Sequence, residues 1–184
     1  CYPHNTWVRT NNLSTARHMH TATVLADKTV LITGGSFYGT NTEIYNPDSN
    51  TFTDTAPLKY PREGHTAVLQ SDGTVLVIGG ITGYNSVTNI SELYVPTSGQ
   101  WVSTPNLNNA RYQHTATLSH PHILIAGGMN LLGSLATSDL SGDSTATPES
   151  AGSGCCFPSV ANMSTPRTFH AATKLSNLSL IHIS

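Results

Sequence analysis

The amino-acid sequence predicts an all-β protein built from a unit of four short strands that recurs about every 50 residues. The first observation is an Arg-x-x-His motif, whose four copies are 45, 49 and 56 residues apart. The second is that runs of Val, Ile, Thr and Tyr end at Gly, Pro, Asn or Asp, which is the pattern of strands and turns. The third is that no segment keeps a helical period. Every copy is therefore expected to consist of strands.

The Arg-x-x-His motif opens each copy of the unit. Its members are Arg17 with His20, Arg62 with His65, Arg111 with His114, and Arg167 with His170. A catalytic constellation is normally unique in a chain, whereas one residue set per unit indicates a structural role. We expect each histidine to hydrogen-bond to a neighbouring unit and each arginine to serve the same end.

Paired glycines and aromatic residues complete the unit. The glycines end the second strand, where the chain must turn and pack closely on its neighbour: Gly34 and Gly35, Gly79 and Gly80, and Gly127 and Gly128. The aromatic residues stand seven positions apart on the third and fourth strands: Tyr45 and Phe52, and Tyr94 and Trp101. They are expected to fill the space between units, and a platform for stacking sugars is the minor interpretation.

The diglycine, the tyrosine and the aromatic residue seven positions later resemble the kelch repeat, and this resemblance covers residues 1–128. It implies a β-propeller, in which four-stranded blades surround a central channel. The segments "HTATVL" and "DGTVLVIGG" are more similar to the kelch domains of secreted proteins, including those of the galactose oxidase type, than to those of intracellular ubiquitin-ligase adaptors.

The repeat divides the chain into blades that are expected to form an open arc, a partial kelch-type propeller. Residues 14–58 and 59–107 are predicted to be regular blades, and residues 108–163 a degenerate one. Residues 1–13 are expected to be the last strand of a preceding blade, and residues 164–184 the first strand of a further blade with an atypical tail at 178–184. The degenerate blade has Ser141 where a tyrosine is expected and a Ser-, Gly-, Thr- and Pro-rich insert near 141–156, before Phe157.

Differences between the blades predict where a ligand binds. The loop from the second to the third strand and the residue that follows each motif arginine lie at the same end of antiparallel strands, and both vary. They comprise residues 36–41, 81–88 and 129–135, together with His18, Glu63 and Tyr112. The candidates for ligand contact are Phe37, Tyr38, Tyr84, Tyr112 and Met129. We expect a propeller that binds a protein or a carbohydrate, with no catalytic residue, cofactor or metal of its own.

Two other functions stay open. One is a piece of a copper-radical oxidase resembling galactose oxidase, whose site needs converging tyrosine, histidine and cysteine ligands and an adjacent Tyr-His pair. This sequence contains no Tyr-His dipeptide, and its His18-x-His20 and His120-x-His122 pairs are weak evidence for a metal. The other is a structural array without a ligand.

Composition argues against two classes of partner. Only 10% of the residues are charged, the formal net charge is −2, and Lys and Arg form no cluster. Nucleic acid and anionic membrane surfaces are therefore not expected to bind. No apolar run approaches the roughly 20 residues that span a bilayer. Asn-x-Ser sequons begin at Asn12, Asn89, Asn162 and Asn177, and an extracellular location is favoured.

Overall fold

The computed structural model describes residues 7–36, 38–83, 86–119, 121–141 and 162–168, and the backbone of two further strands at 171–174 and 180–183. These residues form antiparallel sheets, and within them no helix occurs. The predicted all-β class and the open, partial propeller are therefore confirmed.

The first two blades are four-stranded sheets in which each strand pairs with the next along the chain. Blade 1 consists of β1 (Thr21–Val24), β2 (Val30–Thr33), β3 (Thr42–Asn46) and β4 (Thr51–Thr55). Blade 2 consists of β5 (Thr66–Leu69), β6 (Val75–Ile78), β7 (Ser91–Val95) and β8 (Gln100–Ser103). The hairpin turns after β1 and β5 are alike, because Asp27 and Asp72 each accept a backbone and a hydroxyl hydrogen bond from the threonine two residues later.

Blade 3 has a shorter sheet in its described residues. It contains β9 (Thr115–Ser119), β10 (His122–Ala126), a hairpin of β11 (Met129–Asn130) and β12 (Gly133–Ser134), and β13 (Ser138–Leu140). The order in the sheet is β13-β10-β9. Ser141 stands at the tyrosine position, and its Oγ accepts a hydrogen bond from the backbone N–H of Ile123 at 2.6 Å. The rest of the predicted insert, and Phe157, lie outside the described residues.

The two ends of the chain differ from the expectation. Residues 7–13 form no strand, and the side chains of Trp7 and Val8 are exposed. A strand requires a hydrogen-bonded neighbour, whereas Asn11 Nδ2 donates to the carbonyl oxygen of Asn50 in the turn after β3. At the other end β14 (Ala171–Lys174) was expected, but β15 (Leu180–Ile183) pairs with it as a second strand. The tail "LIHI" is rich in isoleucine, which favours strands.

The hydrophobic core lies between neighbouring blades. Successive side chains of a strand point to opposite faces of the sheet, so both faces of β6 can be buried. Val75 packs in a cluster with Leu31 of blade 1, and its neighbour Leu76 packs in another with Ile123 of blade 3. The first strands β1, β5, β9 and β14 are neighbours in that order. The blades therefore stack face to face in chain order, as in a propeller.

Candidate functional site

Each blade buries its motif arginine against a carboxylate of its own third strand. The pairs are Arg17 with Glu43, Arg62 with Glu92, and Arg111 with Asp139. The three arginine side chains are fully buried. Burial lowers the pKa of Arg62 and of Arg111, while the paired carboxylate opposes this shift in each blade. The guanidinium groups remain charged, because arginine keeps its proton in proteins.

The carboxylate partners were missed by the sequence analysis. Glu43, Glu92 and Asp139 stand two residues before the tyrosine position, in the aligned segments "TEIY", "SELY" and "SDLS". The signal was therefore present as an acidic residue at the same position of the first three copies. A buried arginine needs such a partner, since an unpaired buried charge is costly.

The arginine also connects neighbouring blades through the diglycine. Arg62 Nη1 donates to the carbonyl oxygen of Gly79 in its own blade at 2.8 Å, and the carbonyl oxygen of Arg62 accepts the N–H of Gly35 in blade 1 at 2.8 Å. The next two connections, also 2.8 Å long, are Gly80 N–H to Arg111 and Gly128 N–H to Arg167. We call this repeated arrangement the inter-blade joint.

Glycine is required in the joint because the backbones approach closely. Gly34 has a φ of +63°, which side-chain-bearing residues adopt rarely. A Cβ at Gly34 would lie 2.6 Å from His65 Cε1 and would also clash with the carbonyl oxygen of Arg62. At Gly128 a Cβ would lie 2.5 Å from the carbonyl oxygen of Tyr112. The diglycine therefore allows the next blade to approach.

The motif histidines hydrogen-bond to the preceding blade. His65 Nε2 lies 2.8 Å from Thr21 Oγ1, and His114 Nε2 lies 2.8 Å from Thr66 Oγ1. His20 is exposed, since the described residues include no blade on that side of blade 1. Burial lowers the pKa of His65 to about 3, with smaller contributions from the charges of Arg62 and His20, so His65 is neutral at physiological pH. His170 lies outside the described residues.

The aromatic residues of the third and fourth strands form cross-strand pairs. The ring centroids of Tyr45 and Phe52 are 4.7 Å apart, and those of Tyr94 and Trp101 are 5.1 Å apart. The Trp101 indole N–H donates to the carbonyl oxygen of Ala56 in blade 1 at 2.7 Å. The pair in blade 2 therefore fills space between blades and contributes a further polar contact there.

The predicted ligand contacts that the structure describes, Tyr38, Tyr112 and Met129, lie at one end of the blades. We call this end the loop face. Its described part comprises residues 36, 38–41, 81–83, 86–88 and 129–135 with His18, Glu63 and Tyr112. Tyr112 and Met129 are brought together, because each backbone N–H donates to the other's carbonyl oxygen, at 3.0 and 2.9 Å. Tyr38 is exposed on the blade 1 loop. Phe37 and Tyr84 lie outside the described residues.

The hairpin between β11 and β12 carries an exposed apolar tip that the sequence analysis did not single out. Leu131 is exposed, and Leu132 is 95% exposed. The backbone N–H of Leu132 donates to Asn130 Oδ1 at 2.8 Å, which holds the turn. Two leucines between Asn130 and Gly133, in a polar turn sequence, were the available signal.

A second set of backbone contacts crosses the blades at the loop face. Met19, Gly64 and Gln113 each stand two residues after the motif arginine, with φ values of 51°, 61° and 53°. Gly64 N–H donates to the carbonyl oxygen of Met19 at 3.0 Å, and Gln113 N–H donates to that of Gly64 at 2.8 Å. We call these three residues the rim.

An ion pair next to the rim joins blades 1 and 2. His18 Nε2 lies 3.1 Å from Glu63 Oε2. Glu63 is 3% exposed, whereas the His18 side chain is 60% exposed. Since both residues directly follow a motif arginine, they occupy equivalent positions of neighbouring blades.

The described residues do not assemble the donor set of a metal centre. Within them, no three His, Cys, Asp or Glu side chains are close enough to hold a metal ion. His122 Nδ1 lies 2.8 Å from the carbonyl oxygen of Ser141, and His120 lies outside the described residues. In the part of the chain that the structure describes, no helix is long and apolar enough to cross a membrane.

Comparison with known proteins supports the kelch resemblance. Residues 64–108 match the Kelch motif. The solved structure of YjhT, a kelch-type propeller, superposes with a TM-score of 0.78 on 96% of this chain at 15% sequence identity. The chain spans 62% of the length of that structure. No curated protein matches the chain significantly. At this identity the likeness shows the fold alone. The chain thus contains a kelch motif and forms part of a kelch-type β-propeller.

Proposed function

We propose that this chain is a binding propeller whose loop face contacts a ligand, and that it performs no catalysis of its own. One contrast supports the proposal. The motif arginines, which repeat in every blade, are buried and paired with a carboxylate of their own blade. The apolar side chains that differ between blades are exposed on the loop face, as Tyr38 and Leu132 are. Adjacent exposed apolar side chains such as Leu131 and Leu132 are typical of interaction surfaces.

A protein partner is favoured over a carbohydrate. Kelch repeats generally mediate protein interactions. Leu131 and Leu132 project as a pair from the hairpin tip, and aliphatic side chains pack well into apolar pockets of a protein surface. A sugar is recognised mainly by aromatic stacking and polar groups, for which leucines are poorly suited.

We also propose that the protein is extracellular. The sequon residues Asn12 and Asn162 are exposed, as a glycan acceptor must be in the folded protein. Asn89 differs, because its Nδ2 donates to the carbonyl oxygen of Leu107 at 2.9 Å. Expression through a secretory pathway should therefore give glycans at Asn12 and Asn162, mapped by mass spectrometry. Absence of a glycan from both would contradict the proposal.

The binding proposal is tested by comparing the two ends of the blades. A ligand is first selected for the intact chain from peptide and glycan arrays, and its affinity is then measured for Leu132→Ser and Tyr38→Ala. Both changes should weaken binding by about tenfold or more, the usual effect of losing a central apolar contact. Val24→Ser, an exposed apolar residue away from the loop face, is the matched control. Equal losses in the control would contradict the proposal.

The absence of catalysis is tested separately. The chain is titrated with Cu²⁺ and followed by optical spectroscopy, together with assays for oxidation of primary alcohols. We expect no ligand-to-metal charge-transfer band that saturates at a stoichiometric amount of Cu²⁺, and no oxidation of the alcohols. A saturable band accompanied by turnover would favour the copper-radical oxidase instead.

A further inference from the structure

The turn between β5 and β6 contains the only Asp-Gly or Asn-Gly dipeptide of the sequence, formed by Asp72 and Gly73. Two backbone hydrogen bonds close this turn, from the N–H of Gly73 to the carbonyl oxygen of Gln70 at 3.1 Å and from the N–H of Gln70 to that of Thr74 at 2.8 Å. The side chain of Asp72 is exposed. Its carboxyl group is therefore accessible to water, while the main chain around it is held by the turn.

The carboxyl group of Asp72 is bonded to its own main chain. Oδ1 accepts the backbone N–H of Thr74 at 2.9 Å and the Thr74 hydroxyl at 2.6 Å. An aspartate that bonds to the residue two positions later folds its side chain back over the turn. The carboxyl group is thus held next to the peptide whose nitrogen belongs to Gly73.

The nitrogen of Gly73 has no side chain beside it. The residue has a φ of +85°, and a Cβ built on it would meet no atom of the described residues within 4 Å. Glycine changes its φ at little steric cost, and no packed neighbour in the described residues opposes such a change. A small rotation of the main chain can therefore bring this nitrogen to the carboxyl carbon of Asp72.

The turn between β1 and β2 provides a comparison within the same chain. Asp27 is also exposed, and its Oδ1 accepts the backbone N–H and the hydroxyl of Thr29 at 3.0 and 2.6 Å. The next residue, Lys28, has a φ of 70°. The hydrogen bonds of the two aspartates are thus alike, and the residue that follows them differs, lysine in one turn and glycine in the other.

We propose that Asp72 is a modification site, at which aspartate converts spontaneously to isoaspartate in the folded protein. The Gly73 nitrogen attacks Cγ of the protonated carboxyl group, an N–Cγ bond forms, and the amide proton and the carboxyl hydroxyl leave as water. Water then adds to the backbone carbonyl carbon of Asp72 in the resulting succinimide, and the original bond from that carbon to the Gly73 nitrogen breaks. The main chain afterwards runs through Cβ and Cγ, and no oxidant or reductant takes part. This inference does not depend on the proposed function.

The modification changes the turn on which β6 depends. Isoaspartate adds one carbon atom to the main chain, and the side-chain oxygen that accepts the two hydrogen bonds of Thr74 is lost from its place. All four residues of β6 are buried, so the longer turn disturbs a strand in the core. The modified protein, separated by ion-exchange chromatography, should therefore have a lower melting temperature than the unmodified protein.

The test measures isoaspartate in the intact, folded chain. The protein is kept at neutral pH and physiological temperature in H₂¹⁸O, isoaspartate is quantified with protein L-isoaspartate methyltransferase, and its position is determined by mass spectrometry with electron-transfer fragmentation. Isoaspartate should accumulate at Asp72 with at least one ¹⁸O atom, and much less should form at Asp27. Equal amounts at the two positions, or isoaspartate at Asp72 only after unfolding in urea, would overturn the inference.

Two variants exchange the residues that differ between the turns. Gly73→Lys should stop isoaspartate formation at Asp72, and Lys28→Gly should start it at Asp27. Urea unfolding establishes that each variant is folded, and the comparison of Asp72 with Asp27 in the wild type decides the matter without them. Wild-type formation of isoaspartate at Asp72 in folded Gly73→Lys, or none at Asp27 in folded Lys28→Gly, would refute the inference.

Discussion

Gly35 of blade 1 donates its backbone N–H to the carbonyl oxygen of Arg62 in blade 2, at 2.8 Å. Arg62 in turn donates from Nη1 to Gly79, and the next residue, Gly80, donates to Arg111 of blade 3. Main-chain hydrogen bonds thus connect one blade to the next, and within blade 2 the guanidinium group of Arg62 links the two connections. Because each connection needs two blades, the stability of every blade depends on its neighbours.

Removing one buried guanidinium should strongly destabilise the fold. In Arg62→Met, Glu92 would remain buried without a counter-charge, and the free energy of unfolding should fall by about 3–5 kcal/mol. Adding Glu92→Leu removes the stranded charge and should recover a large part of the loss. Urea unfolding of the two variants measures both effects. A single variant within about 1 kcal/mol of the wild type would contradict a structural role for the pair.

The motif histidines should matter for stability only where a preceding blade is present. His65→Ala removes the hydrogen bond to Thr21 and should lower the free energy of unfolding by roughly 1–3 kcal/mol. His20→Ala, at the exposed equivalent, should change it by less than about 0.5 kcal/mol. The measurement is thermal unfolding of both variants. If His65→Ala keeps the wild-type melting temperature but loses ligand binding, the histidine belongs to a functional site instead.

Stability should also depend on pH through His65. Its pKa is about 3 in the folded protein, because burial disfavours the charged ring, and about 6.5 in the unfolded chain. The unfolded state therefore binds a proton that the folded state excludes. The stability that neutral His65 provides is fully present above about pH 6.5. As the pH falls towards 3, the free energy of unfolding decreases by at most ~1.4 kcal/mol per pH unit because of this residue.

The matched comparison is His65→Gln, which cannot titrate. Urea unfolding at several pH values between 7.5 and 4 should give a shallower fall for this variant than for the wild type. Parallel curves would show that another group causes the acid sensitivity.

Alanine substitutions at two glycines distinguish the loss of stability caused by backbone strain from the loss caused by a clash with the neighbouring blade. Gly34 and Gly83 have nearly equal φ values, +63° and +66°, so alanine is strained by a similar amount, about 1 kcal/mol, at both. Around Gly83 no atom of the described residues lies within 4 Å of the added Cβ, whereas at Gly34 it would clash with Arg62 and His65. Gly34→Ala should therefore be several kcal/mol less stable than Gly83→Ala. Equal losses in urea unfolding would mean that the blades do not approach at Gly34.

Because the residues of the inter-blade joint recur in each copy, their structural role could be predicted from the sequence. The carboxylate partners of the arginines could not be predicted in this way. His65 and Gly34 could be assigned to packing between blades because equivalent residues recur at a regular interval. An acidic residue recurs as well, as Glu92 in blade 2. Because an acidic residue on a strand also fits a solvent-exposed position, its type and spacing did not indicate a pair with Arg62.

Features that occur once were harder to predict. Leu132 is exposed because it lies at the tip of the hairpin between β11 and β12, and hairpin formation depends on local turn geometry. The pair of His18 and Glu63 connects two blades, and the spacing of the residues along the chain does not specify how blades dock. Residues 1–13 were expected to be the last strand of a preceding blade. The described part of this segment, residues 7–13, forms no strand, because strand formation also requires a pairing neighbour.

The inter-blade joint is tested most directly by amide hydrogen exchange at the second glycine of each pair. In the chain labelled with ¹⁵N-glycine, Gly35, Gly80 and Gly128 should exchange only through global unfolding, with free energies that match the value from urea unfolding. All three should become faster together in Arg62→Met. Exchange of these amides as rapid as that of glycine amides in an unfolded chain would contradict the joint.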